Sequence, residues 1–119
     1  MQFKLIIALI NEDKTTKVMD AARQAGATGA TIIADARGEG LKPRKAFFGL
    51  TVEVRCNVLL FIVEEHLSQQ ILARIGEVAG FAETPGSGVA FSIAVEDTAG
   101  LDSQIASLMA TNTEPSSNP

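Results

Sequence analysis

The first strand-like segment of the chain restricts the fold most strongly. Residues 3–10 read FKLIIALI. They are apolar at both odd and even positions, which face opposite sides of a strand, with Lys4 as the exception. A strand with this pattern is covered on both faces, or on one face by its own chain and on the other by a subunit interface. Because the run is short, lacks a cleavage-site pattern and continues into Asn11-Glu12-Asp13, it predicts a buried strand rather than a signal peptide.

A helix and a second strand follow. Asn11 is a candidate N-cap, and Gly26 is typical of a helix C-terminus. The apolar residues between them recur at helical spacing, at Val18, Ala21, Ala22 and Ala25. Residues 29–36 predict a strand with a β-branched centre. A loop begins at Arg37, and its sequence RGEGLKPRKAFFG mixes glycine, proline and positive charge.

The second half of the chain repeats this order. Residues 51–55, TVEVR, alternate like a hairpin arm returning from the loop, and residues 58–63, VLLFIV, form the most apolar strand. A helix is predicted from Glu64-Glu65 to Gly80, with an apolar stripe of Leu67, Ile71, Leu72, Ile75 and Val78. After the loop FAETPGSG, residues 89–95 predict the last strand.

The order strand, helix, strand, strand, helix, strand is the ferredoxin-like, or split βαβ, plan. Right-handed crossovers place both helices on one face of a four-stranded antiparallel sheet, which gives an α+β fold with a long loop between strands two and three. The opposite face is apolar without a helix, so we expect self-association to bury it. We expect residues 1–101 to form this domain and the polar residues 102–119 to be a disordered tail.

Composition argues against several functional classes. The net charge is −4, whereas a nucleic-acid binder usually carries the opposite balance. Cys56 is the single cysteine, so neither a disulfide within the chain nor a multi-cysteine metal site can form, and a small buried hydrophobe is the plainer interpretation. No apolar run approaches membrane-spanning length. We therefore expect a cytoplasmic protein.

Catalytic motifs are not found either. The sequence contains no GxSxG, HExxH, Walker lysine loop or paired-cysteine motif. His66 has no Ser, Cys or metal-ligating companion at motif spacing, which favours a surface helix residue. We expect no catalytic residue, no metal site and no required cofactor.

Three segments resemble the P-II family of signal-transduction proteins, over about residues 3–101. They are AGATGATIIADARGEG at 25–40, VLLFIV at 58–63 and TPGSGVAFSIAV at 84–95. The resemblance implies a homotrimer with the three sheets packed in the centre and an adenine nucleotide in the cleft between subunits. It also implies that the long loop, called the T-loop, docks on a transporter, an enzyme or a regulator, as in the control of nitrogen metabolism.

The resemblance also implies the ligand-binding residues. They are Thr31, Arg37, Gly38, Glu39, Gly40, Val63, Gly86, Ser87, Gly88 and Val89. Val89 stands where the family has a lysine, and the arginines that typically follow the last strand are missing. ADP, AMP or a cyclic nucleotide is therefore a more plausible effector than ATP.

The residues alone leave two interpretations of these segments open. Glycine pairs such as GEG and GSG supply N–H donors to an anion, but they are also common in plain turns. The basic loop is either a solvated surface or a partner-binding surface. Its candidate partner contacts are Lys42, Arg44, Lys45, Phe47 and Phe48.

Three functions are compatible with these patterns. The first is a non-catalytic, ligand-gated regulatory trimer. The second is a ferredoxin-like module that binds another small molecule or a metal, since fold alone does not separate it from the first. The third is a small ferredoxin-fold enzyme, which would need a pocket lined by a histidine or an acid.

Overall fold

The computed structural model describes most of the predicted domain. The described residues are 2–38, 46–47, 50–51 and 54–101, with side chains described at 2–34 and 56–101. The predicted tail, residues 102–119, lies outside them. The elements are β1 (Phe3–Asn11), a 3₁₀ turn (Glu12–Lys14), α1 (Thr15–Gln24), β2 (Thr31–Gly38), β3 (Ala46–Phe47), β4 (Leu50–Thr51), β5 (Val54–Glu64), α2 (Glu65–Ala79) and β6 (Gly88–Val95).

The main sheet has the strand order β2-β5-β1-β6, and its three ladders are all antiparallel. This is the ferredoxin-like α+β arrangement that the sequence predicts, so the predicted fold is confirmed. Two differences lie at the loop. β5 starts at Val54, earlier than the predicted 58–63 strand, because its first residues pair with the end of β2. The short strands β3 and β4 form a separate ribbon within the loop.

The hydrophobic core lies between the sheet and the two helices. On β1, Ile6, Ala8 and Ile10 are fully buried, and Phe61 and Leu59 of β5 stand opposite the first two of them. The helices contribute buried residues at helical spacing: Val18, Ala21, Ala22, Ile71, Ile75 and Ala79. Of the stripe predicted for α2, Leu67, Leu72 and Val78 are only partly buried. The core is thus aliphatic, with one large aromatic side chain at its centre.

The helix boundaries differ slightly from those predicted. Asn11 makes no side-chain capping bond, and the chain first forms the 3₁₀ turn before α1 starts at Thr15. Glu64 is the last residue of β5, so α2 starts at Glu65. Cys56 is buried, in agreement with its interpretation as a small hydrophobe.

A buried polar chain ties β5 to the start of α1. The Asn57 Nδ2 donates to Thr15 Oγ1 at 2.8 Å, and Thr15 Oγ1 donates to the Asn11 carbonyl at 3.3 Å. Asn57 and Thr15 are 9% and 8% exposed, so water cannot readily replace a lost partner.

Replacing Asn57 with alanine is expected to lower the free energy of unfolding by about 1–3 kcal/mol, because Thr15 keeps a buried hydroxyl without its donor. Urea denaturation measures this difference. Gln69→Ala is the matched control, since Gln69 carries the same amide on the exposed side of α2 and its removal should cost less than about 0.5 kcal/mol. Equal losses in the two variants would show that the buried chain adds nothing.

Candidate functional site

The sheet face opposite the helices is apolar, and we call it the open face. Burial alternates along β1, and residues paired across antiparallel strands share a face. Ile7, for example, stands opposite Leu60 on one side and Phe91 on the other. The open face consists of Leu5, Ile7, Leu9, Ile33, Val58, Leu60, Ile62, Val89, Phe91 and Ile93. Ile33, Ile62, Val89, Phe91 and Ile93 are each between 42% and 50% exposed.

The two predicted glycine segments lie at the same end of the sheet. Gly38 ends β2 opposite Val54, and Gly88 starts β6 opposite Ile10. However, β2 and β6 are the two edge strands, with β5 and β1 between them. Three strand spacings separate them, which is about 14 Å. The strand ends of one chain therefore do not bring both segments around a single phosphate-sized anion.

The second glycine segment is held by its own hydrogen bonds. Thr84 N donates to Gly80 O at 3.0 Å, and Ser87 N donates to Thr84 O at 3.0 Å. The buried Ser87 hydroxyl donates to Gly80 O at 3.4 Å. Both donors of Ser87 are thus used within the segment, where they stabilise the turn. Gly86 adopts a positive φ of 83° between these bonds.

Gly88 fits its position only because it lacks a side chain. Its φ is +149°, and a Cβ there would collide with the Leu9 carbonyl oxygen and approach Phe81 Cε1 at 3.0 Å. The glycine segment is therefore pressed against the end of β1. Val89, the next residue, is half-exposed opposite Leu9 and adds an apolar side chain to the open face.

The first glycine segment follows an irregularity in the β2–β5 ladder. Ile33 pairs with Val58, and the register shifts by one residue before Ala36. Without this shift Arg37 would stand opposite Val54, but the shifted register places it opposite Arg55. Bulges commonly adjust residues next to binding sites in this way.

Arg55 was not among the residues that the sequence predicts for the site. It lies within the alternating segment TVEVR, where nothing in the sequence links it to Arg37. Only the register of the ladder reveals the pairing.

Thr31 and Val63 lie further along the sheet from the glycine segments. Thr31 is exposed and starts β2 opposite Leu60, while β5 continues to Glu64. Beyond Thr31, the β2 side of β5 has no ladder partner in the described sheet, so the backbone along residues 61–64 forms an unpaired edge there. The Val63 side chain is only 3% exposed and belongs to the core, so any ligand contact of Val63 runs through its backbone.

Ile62 is a candidate that the sequence analysis missed. Its side chain is 42% exposed on the open face, next to the free edge of β5. The alternation of VLLFIV carries no signal that separates Ile62 from Val63, because both residues are apolar and β-branched.

Val63 and Gly88 are also far apart within one chain. Val63 stands opposite Lys4, and Gly88 stands opposite Ile10 at the other end of β1. Six residues of an antiparallel strand span about 20 Å. The predicted contacts thus divide into three groups that one chain does not join: the β5 edge, the end of β2 and the glycine segment before β6.

Several predicted site residues fall outside the described part of the chain. They are Glu39, Gly40, Lys42, Arg44, Lys45 and Phe48. Phe47 belongs to β3, of which only the backbone is described. The partner-binding role of the loop therefore stays a prediction.

Other chemistry was sought in the described part of the chain. Within those residues, no group of three or more His, Cys, Asp or Glu side chains is placed to hold a metal ion. No helix among them is both long and apolar enough to cross a membrane. His66 lies exposed in the first turn of α2, with Nδ1 3.8 Å from Glu64 Oε1, which agrees with its interpretation as a surface residue.

Solved structures share this fold. The apo form of CPII, a nitrogen regulatory PII-like protein from Thiomonas intermedia K12, is 20% identical, with a TM-score of 0.60 over 80% of this chain and 90% of that chain. The same protein bound to ADP, AMP and bicarbonate is 20% identical, with a TM-score of 0.62 over 83% of this chain and 98% of that chain. A putative PII-like signalling protein from Thermus thermophilus is 25% identical, with a TM-score of 0.57 over 80% and 87% of the two chains.

The sequence comparisons identify the family. None of the curated proteins compared with the chain matches it. The family model for the nitrogen regulatory protein P-II matches residues 3–103, which is most of the chain and nearly the range over which the resemblance was found. This chain therefore belongs to the nitrogen regulatory protein P-II family.

Proposed function

We propose that three copies of this chain assemble through their open faces and bind an adenine nucleotide with one or two phosphates at the seams between them. Nucleotide binding then changes how the loop between β2 and β5 fits a partner protein, such as a transporter or a metabolic enzyme. In this proposal the protein regulates and does not catalyse.

The separation of the predicted ligand residues carries the proposal. The two glycine segments lie on opposite edges of the sheet, about 14 Å apart by strand spacing. The β5 edge near Thr31 lies further away still. A seam between two copies can bring an edge of one sheet to the edge of the next, so assembly completes a site that a single chain leaves open. The apolar open face supplies the driving force for assembly.

The ligand chemistry follows from the residues in these three groups. The β5 edge beyond Thr31 offers backbone donors and acceptors, which match the adjacent donor and acceptor atoms of an adenine ring. An anion would be attracted by two sets of groups. One is the pair of arginine positions 37 and 55, and the other is the N–H groups near Gly86. Val89 cannot supply the positive charge of a lysine to a third phosphate. CPII from Thiomonas intermedia K12 was solved with ADP, AMP and bicarbonate, which supports the same ligand class here.

Isothermal titration with AMP, ADP and ATP tests the ligand. We expect AMP or ADP to bind, and ATP to bind no more tightly than ADP, because the third phosphate adds charge without a matching cation. GMP is the control, because guanine reverses the donor and acceptor pattern that the β5 edge would meet. If no adenine nucleotide gives heat or a thermal shift, the nucleotide proposal fails. Heat with zinc or copper alone would favour a metal-binding module instead.

A further inference from the structure

Lys14 contacts the end of α2, just before the turn that leads to the glycine segment of β6. Lys14 belongs to the 3₁₀ turn between β1 and α1, and its Nζ donates to the Ala79 carbonyl at 3.2 Å. Ala79 is the last residue of α2, where the backbone carbonyls carry partial negative charge. The ammonium group also lies 3.5 Å from the point where a Cβ would stand on Gly80.

The next carbonyl along the chain connects this contact to the predicted anion site. Gly80 O accepts from Thr84 N at 3.0 Å and from Ser87 Oγ at 3.4 Å. Lys14 and Ser87 therefore hold two successive carbonyls, at 79 and 80. Because Ser87 stands between Gly86 and Gly88, Lys14 is connected to the glycine pair through two hydrogen bonds and Gly80.

The charge of Lys14 is also unusual for its surroundings. Residues 80–89, GFAETPGSGV, contain neither lysine nor arginine. Glu83, the one acidic residue of the segment, also approaches Gly80, with its Oε1 atom 3.6 Å from the same point. Lys14 is partly buried, whereas Lys17 on the next turn is exposed. The Lys14 ammonium group therefore lies at the start of this segment, next to the end of α2, and not on the solvated surface of α1.

We propose that Lys14 is a positioning residue for ligand binding: it fixes the glycine segment 86–88 in the shape that receives the anionic end of the nucleotide. This role rests on the nucleotide function proposed above. Lys14 acts through the Ala79 and Gly80 carbonyls and need not touch the ligand.

The test compares three variants by isothermal titration with AMP. Lys14→Met keeps the length of the side chain but removes its charge and donors, and it is expected to weaken AMP binding about tenfold, the worth of one charged hydrogen bond. Lys14→Arg is expected to restore most of the affinity. Lys17→Met removes the same charge from an exposed position and should leave the affinity within about twofold. Equal affinities for the wild type and Lys14→Met would overturn the proposal.

A control for stability separates positioning from simple weakening of the fold. Val18→Ala removes fully buried methyl groups from α1, away from the glycine segment, and is expected to lower the melting temperature at least as much as Lys14→Met. Unchanged AMP binding in Val18→Ala is expected. If Val18→Ala and Lys14→Met both lose AMP affinity, each in proportion to its fall in melting temperature, Lys14 has a structural role only.

A ligand-free measurement keeps this inference separate from the proposed function. Amide hydrogen exchange of residues 80–88 is expected to speed up in Lys14→Met and to stay unchanged in Lys17→Met, with no nucleotide present. If the wild type binds no nucleotide but this difference is seen, the proposed function fails while Lys14 still holds the segment. If exchange is unchanged, the Lys14 inference fails whatever the wild type binds.

Discussion

Replacing Phe91 with aspartate is expected to convert the proposed trimer into single chains that keep their fold. Phe91 lies on the open face halfway along the edge strand β6, opposite Ile7, and is 43% exposed in one chain. In a single chain the new carboxylate stays in water. Between packed sheets it would be buried without a partner, which costs several kcal/mol per chain. We expect the dissociation constant of the assembly to rise by about a thousandfold or more.

Sedimentation velocity measures this loss, and circular dichroism checks that the variant remains folded. Ile32→Asp is the matched control, because Ile32 is almost equally exposed at 44% but faces the helix side of β2, as its pairing with buried Leu59 shows. That variant should keep the mass of the wild type. If Phe91→Asp also keeps it, the open face is not the assembly surface. The same variant should lose nucleotide binding, because the seam is then absent.

The second large effect is expected from Gly88→Ala. A φ of +149° lies in a region that residues with a Cβ rarely adopt, at a cost of about 1–3 kcal/mol. The added Cβ would also meet the Leu9 carbonyl oxygen, which is fixed within the β1 ladder and cannot move aside cheaply. The two costs together should exceed about 3 kcal/mol of unfolding free energy.

Urea denaturation gives the size of this effect, and Gly29→Ala provides the comparison. Nothing lies within 4 Å of the Cβ position at Gly29, and its φ is not in the left-handed region. Alanine there is expected to change stability by less than about 1 kcal/mol in either direction. A Gly88→Ala variant as stable as Gly29→Ala would contradict the close packing of the glycine segment on β1.

The fold could be predicted because its signals are local and mutually consistent. The apolar runs at 3–10, interrupted only by Lys4, and at 58–63 mark central strands, and Gly26 and Gly80 mark the ends of helices. The order of the elements then leaves few topologies. The same runs predict an apolar face without helices, and the structure shows it on the side of Ile7 and Phe91.

The details of the site depend on contacts between residues that are distant in sequence. The Arg37–Arg55 pairing exists only because the ladder shifts by one residue after Ile33. The Lys14 contact spans 65 positions. Neither leaves a pattern in a single sequence, since each is set by how the elements pack. The hydrogen bonds of Ser87 within its own segment are likewise set by packing, and its predicted ligand contact stays a prediction.

Native mass spectrometry of the intact chain mixed with AMP tests the central claim most directly, because it counts protein copies and bound nucleotides in one spectrum. The expected result is a species with the mass of three chains that carries up to three AMP molecules, while any single chains present carry none. Single chains that bind AMP, or an assembly of another size, would contradict a site built between three copies.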